Sequence, residues 1–162
     1  MDAIACLKEI FSNVNNWLIF AETKNAALVG FNIAILAISD KFLENIFKCS
    51  GLGLCLFLFG ILCPLISFFP IYNKFKIFRK KRGNNLLFFV DIAMYDEEQY
   101  INELKENYID MRYVNEKDKL VRDYAMEIVT NSQITVYKLF MFKIGLYFSL
   151  GFIIYMVLIN II

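Results

Sequence analysis

Apolar residues recur along this chain with two different textures. Near the start, Ile4, Leu7, Phe11, Val14, Leu18 and Ala21 alternate spacings of three and four. That rhythm places them on one face of a helix. Ser12, Asn13, Asn15 and Asn16 lie off the seam. The pattern predicts an amphipathic helix over residues 1–25, packing on another helix or lying on a membrane surface. Its polar face is mostly Asn rather than Lys, which favours packing on protein.

Elsewhere the apolar residues run together. Gly51 to Asn73 carries no Asp, Glu, Lys or Arg, and neither does Ile144 to Ile162. A helix needs roughly 20 apolar residues to cross a ~30 Å hydrocarbon core. Both stretches are predicted to span, over 51–73 and 144–162. A third, Ala26 to Ser39, is short and holds Asn32. It reaches spanning length if the helix continues past Asp40 and Lys41 to Phe47, with charged ends snorkelling. The prediction is a span over 26–47. The alternative is a re-entrant or interfacial segment.

Between the second and third spans, residues 74–143 are predicted to be helical. Leu86 to Val90 is a dense apolar run, read as a segment docked on helices or on the membrane face rather than as a strand. Asp96, Glu97 and Glu98 place acids at a helix N-terminus. Ile101, Leu104, Tyr108 and Met111 then form a stripe. Leu120, Tyr124, Ile128 and Ser132 form another, with no Gly or Pro before Gly145. This predicts one long helix running through Lys138 into the last span. The fold class is an all-α membrane protein: an amphipathic N-terminal helix, about three transmembrane helices and a helical cytoplasmic insert between the second and third, forming a single domain over residues 1–162.

Charge sets the expected orientation. Six cations, Lys74, Lys76, Arg79, Lys80, Lys81 and Arg82, directly follow the second span. The positive-inside rule puts residues 74–143 and the N-terminus in the cytoplasm, and the 40–50 connection and the C-terminus outside. Met1-Asp2 and the early Lys8 and Glu9 do not read as a secretory signal.

Composition narrows the chemistry. The chain has 162 residues, is 59% hydrophobic, has a net charge of +1 and contains no His. It is neither a basic nucleic-acid binder nor an acidic disordered chain. His-based catalysis and His metal ligation are excluded. Cys6, Cys49, Cys55 and Cys63 lack metal-ligand spacing, and Cys55 and Cys63 read as small apolar residues. No phosphate-binding Gly loop or nucleophile motif is present. The expectation is a non-enzyme without metal or cofactor. A membrane hydrolase using the acids between Asp91 and Glu127 ranks lowest.

Two clusters stand apart. Trp17 to Ala27 precedes the first span, and Asn131 to Lys138 precedes the last. The expected topology puts both at the inner interface. Lys24 and Lys138, with Thr23, Ser132, Asn25 and Asn131, have the chemistry to hold a phosphate, and Trp17 can stack on a base. The same residues serve equally as interfacial anchors and interhelical hydrogen bonds.

Three motifs in order carry a family resemblance: Trp17-x-x-Phe20-Ala21-Glu22-Thr23-Lys24; Phe88-Phe89-x-Asp91-Ile92-Ala93; and Asn131-Ser132-x-Ile134-x-x-x-Lys138. Together they resemble the Pycsar-type transmembrane effectors of bacterial antiphage defence. The resemblance implies an inner-membrane effector paired with a nucleotide cyclase, and because three spans enclose little, a homo-oligomer is expected. It would sense cyclic UMP or cyclic CMP, or a cyclic oligonucleotide, and impair the lipid bilayer to arrest the infected cell; neither DNA nor RNA is an expected partner. The competing reading is a constitutive membrane adaptor or small transport subunit.

Overall fold

The computed structural model describes residues 3–38, 51–69, 85–107 and 119–161. Among them every regular element is helical: α1 (Ala3–Ile38), α2 (Gly51–Ile66), α3 (Phe89–Ile92), α4 (Glu97–Asn107) and α5 (Lys119–Ile161). The chain divides into two compact units, Met1–Phe20 with Ile71–Tyr137, and Ala21–Pro70 with Lys138–Ile162.

α1 is one helix of 36 residues, so no break separates the expected amphipathic helix from the expected first span. The physical reason is local. Glu22 to Ala27 contains no Gly or Pro, and nothing there interrupts the backbone ladder. The proposed continuation from residue 39 to Phe47 lies outside the described residues. α5 is likewise one helix of 43 residues, as the unbroken stripe before Gly145 predicted. α2 has 16 residues, so the helix of the expected 51–73 span closes at Ile66. Pro64 lies in its last turn. The Ser67 hydroxyl then donates to the Pro64 carbonyl at 2.6 Å, and the Phe68 and Phe69 amides donate to Leu65 and Ile66. These bonds satisfy carbonyls that a longer helix would have used. α1 and α5 have the length and hydropathy of membrane-crossing helices, and α2 is a shorter apolar one.

The first unit packs around the start of α1. Leu7, Ile10 and Val14 are buried, while Ile4, Phe11 and Leu18 are half-buried. Ile10 therefore stands at the centre where the expected seam had Phe11. Phe11 lies at the edge, its ring 5.8 Å from that of Tyr124. Leu86 and Phe89 of that apolar run are buried, as are Ile92 and Ala93 beyond it, while Leu87 and Phe88 are exposed, so the run docks through part of its length. Each of the Leu, Phe and Ile side chains contributes about 1.5–3 kcal/mol on burial, and the Ala93 methyl less. The Asn13 side-chain amide donates to the Leu87 carbonyl at 3.4 Å, and the buried Tyr100 hydroxyl donates to the Leu86 carbonyl at 2.9 Å. α4 opens with a capping box. The Gln99 amide donates to the Asp96 carboxylate at 2.8 Å, and the Asp96 amide donates to the Gln99 side chain at 3.5 Å. Tyr100 and Leu104 form its buried face. On α5, Val121, Ala125, Ile128 and Val129 are buried, and Leu120 is exposed.

The second unit is a three-helix arrangement running up, down and up. Its parts of α1 and α5 run about 27 Å and 36 Å at 1.5 Å per residue, against a ~30 Å hydrocarbon core. Gly53, Phe57, Gly60 and Pro64 form the buried face of α2. They meet α5 in reverse order. A Cβ on Gly53 would lie 2.5 Å from the Tyr155 ring, and the Phe57 and Phe152 rings are 5.1 Å apart. A Cβ on Gly145 would lie 2.7 Å from Pro64 Cδ. Small residues let the two backbones approach, which is how helices gain packing energy where lipid removes the hydrophobic drive.

The outer face of this unit is apolar. Phe31, Ile33, Leu52, Phe59, Phe140, Ile154 and Leu158 are exposed, while Asn25, Asn32, Ser149 and Lys138 are buried. Water would make that distribution costly; hydrocarbon makes it favourable.

Candidate functional site

The candidate residues fall in both units. In the second, Asn25, Lys138 and two residues not singled out as ligands form one polar cluster. Lys138 is 6% exposed. Its ammonium donates to the Ser67 carbonyl at 2.8 Å and pairs with the Glu22 carboxylate at 3.1 Å. The Phe68 ring centroid is 5.8 Å from the same ammonium. The buried Asn25 side-chain amide donates to the Lys138 carbonyl at 3.0 Å and to the Ala21 carbonyl at 2.9 Å. Lys138 thus joins α1, the end of α2 and α5. A buried ammonium demands a counter-anion and acceptors for its protons, and Glu22 and Ser67 supply them.

Lys24 and Thr23 lie on the same stretch of α1. The Lys24 ammonium sits 5.2 Å from the Phe142 ring centroid, a cation–π arrangement, and Thr23 is exposed. Neither takes part in the Lys138 ion pair.

In the first unit, Trp17 is half-buried in an aromatic group. Its ring lies 5.0 Å from Phe89 and 5.6 Å from Phe20. Asn131 donates its side-chain amide to the Asn15 side-chain carbonyl at 2.9 Å, joining α5 to α1. Thr135 caps the Asn131 carbonyl at 2.7 Å. Ser132 is fully buried, and its hydroxyl has no hydrogen-bond partner among the described residues. Asp91, in the middle motif, is buried and accepts from the Asn85 amide at 3.4 Å.

Sequence reasoning missed the roles of Glu22 and Ser67. Glu22 stands inside the first motif, between the named Trp17 and Thr23, but its partner is far away in sequence. Ser67 acts through its backbone carbonyl, which no side-chain pattern reveals. No group of three His, Cys, Asp or Glu suited to a metal occurs among the described residues.

A family model, the Pycsar effector protein domain, matches residues 6–162. The chain belongs to that family. No curated protein and no solved structure matches the chain. Membership makes this Pycsar effector a component of antiphage defence, and with its long apolar helices it is a membrane protein. All three motifs that carried the resemblance fall within the matched residues.

Proposed function

We propose that the chain is a cyclic-nucleotide-activated effector of the bacterial inner membrane that impairs membrane integrity and arrests the infected cell. It crosses the membrane three times with a cytoplasmic N-terminus, acts as a homo-oligomer, catalyses no reaction and works beside a nucleotide cyclase. The observation that carries this reading is the inverted polarity of the second unit, in a chain of the Pycsar effector family. A unit that buries Asn25, Asn32 and Lys138 and exposes Phe31, Leu52 and Ile154 is suited to lipid. Three spans enclose little space, so disruption is an act of several copies. A ligand shifts that assembly only by binding the active state better. The proposed contacts for cyclic UMP or cyclic CMP, or for a cyclic oligonucleotide, are Thr23, Lys24, Asn25 and Lys138 within the second unit, and Trp17, Asn131 and Ser132 within the first. The Glu22–Lys138 pair and the Asn25 bond equally suit a constitutive adaptor, in which these residues only pack.

Co-expression with a panel of nucleotide cyclases, reading membrane depolarisation, tests the proposal. Depolarisation that requires both proteins is expected. Depolarisation without any cyclase would indicate a simple toxin, and none with any cyclase would favour the adaptor.

A further inference from the structure

The buried ammonium of Lys138 has one partner that can leave. The Ser67 carbonyl belongs to the closing turn of α2 and is fixed by the backbone. The Glu22 carboxylate is different: its side chain is 47% exposed, while that of Lys138 is 8% exposed. Glu22 therefore reaches the buried cation with a side chain that is itself half exposed. Around the cation, Asn25 ties the backbone of α5 to α1, and Ser67 and Phe68 bring in α2.

We infer that the Glu22–Lys138 pair is a latch that holds the second unit closed, with the Glu22 carboxylate occupying the place of an external anion. In a low-dielectric setting the ammonium does not stay without a counter-charge. Whatever releases Glu22 must replace its negative charge, so the displacing ligand carries an anionic group, and a phosphate ester is the class that matches. No bond is made or broken; one ion pair exchanges for another. The latch also affects how firmly α1, α2 and α5 are joined at this end, because Lys138 of α5 bonds to Glu22 and Asn25 of α1 and to Ser67 at the end of α2. The choice of phosphate ester rests on the nucleotide-activated reading above; the latch itself does not.

The test uses the full-length protein in phosphatidylethanolamine–phosphatidylglycerol vesicles filled with a fluorescent dye, without nucleotide. Wild type should hold the dye. Glu22→Gln removes the charge with little change of shape, and it should leak at least about tenfold faster, the shift expected from losing a charge-assisted bond in a two-state equilibrium. Glu106→Gln removes the same charge from the exposed face of α4, outside the cluster, and should stay within about threefold of wild type; an equal rise there would overturn the latch. Glu22→Gln vesicles as tight as wild type would overturn the latch. So would a Glu22→Gln protein that has lost its helical circular dichroism, since the pair would then be only structural. Wild type leaking as fast as Glu22→Gln would overturn it as well. A separate arm adds cyclic UMP or cyclic CMP. A wild type that ignores both, beside a leaky Glu22→Gln, would count against the nucleotide reading while upholding the latch.

Discussion

Gly60 on α2 lies against Ser149 on α5 so closely that a Cβ on Gly60 would stand 2.7 Å from the Ser149 hydroxyl oxygen and 3.3 Å from its backbone nitrogen. The serine hydroxyl can turn aside, but the backbone cannot. Gly60→Val should therefore push α2 from α5 and lower stability by about 1–3 kcal/mol, the usual cost of overpacking. Thermal unfolding in detergent measures it. Gly30→Ala is the control, since a Cβ there meets nothing within 4 Å, and it should unfold no earlier than wild type.

Asn32 gives the opposite sign. It is fully buried in the second unit, its amide donates to the Leu28 carbonyl at 2.8 Å, and its side-chain oxygen has no partner among the described residues. A buried acceptor without a donor costs about 1–3 kcal/mol. Asn32→Leu keeps the branched outline in a larger side chain and removes that acceptor, so thermal unfolding should move upward, by the equivalent of about 1 kcal/mol. A drop in stability would mean that the space between the helices does not admit the larger side chain.

In the first unit, Tyr100 is the test of the docked segment. Tyr100→Phe leaves the buried Leu86 carbonyl without the hydroxyl that bonds it at 2.9 Å. The expected loss is about 1–3 kcal/mol. Hydrogen exchange should rise in residues 85–96 and much less in the second unit's helices. Uniform exchange across both would show that the contact supports more than its own segment.

Lys24 tests the proposed ligand site with the least structural damage, since it is not part of the Lys138 cluster. If its ammonium contacts a nucleotide phosphate, Lys24→Ala should weaken binding of radiolabelled cyclic UMP or cyclic CMP by roughly 10- to 150-fold. Unchanged binding would confine Lys24 to its place over the Phe142 ring.

The helical class, the long α5 and the docked Leu86–Val90 run were legible in the sequence because each depends on near neighbours. Charge-free stretches, absent Gly and Pro, and three-four spacing are local properties, and local hydrogen bonding realises them. The three motifs that carried the resemblance, all inside the matched residues 6–162, were legible for the same reason. The boundary between the N-terminal helix and the first span was drawn from a change in polarity, and polarity alone does not break a helix. Nor did periodicity distinguish Ile10 from Phe11 at the centre of the seam, because the face that is buried depends on what packs against it.

The sequence by itself determined which stretches are helical, which are apolar enough to meet lipid, and that the chemistry has to do without histidine. Only the tertiary structure decided that Glu22, Ser67 and Asn25 converge on Lys138, and that Gly60 and Gly145 are where α2 and α5 touch. Those pairings join residues distant along the chain. They follow from steric fit and from the need to partner every buried charge, conditions that exist only once the helices are side by side.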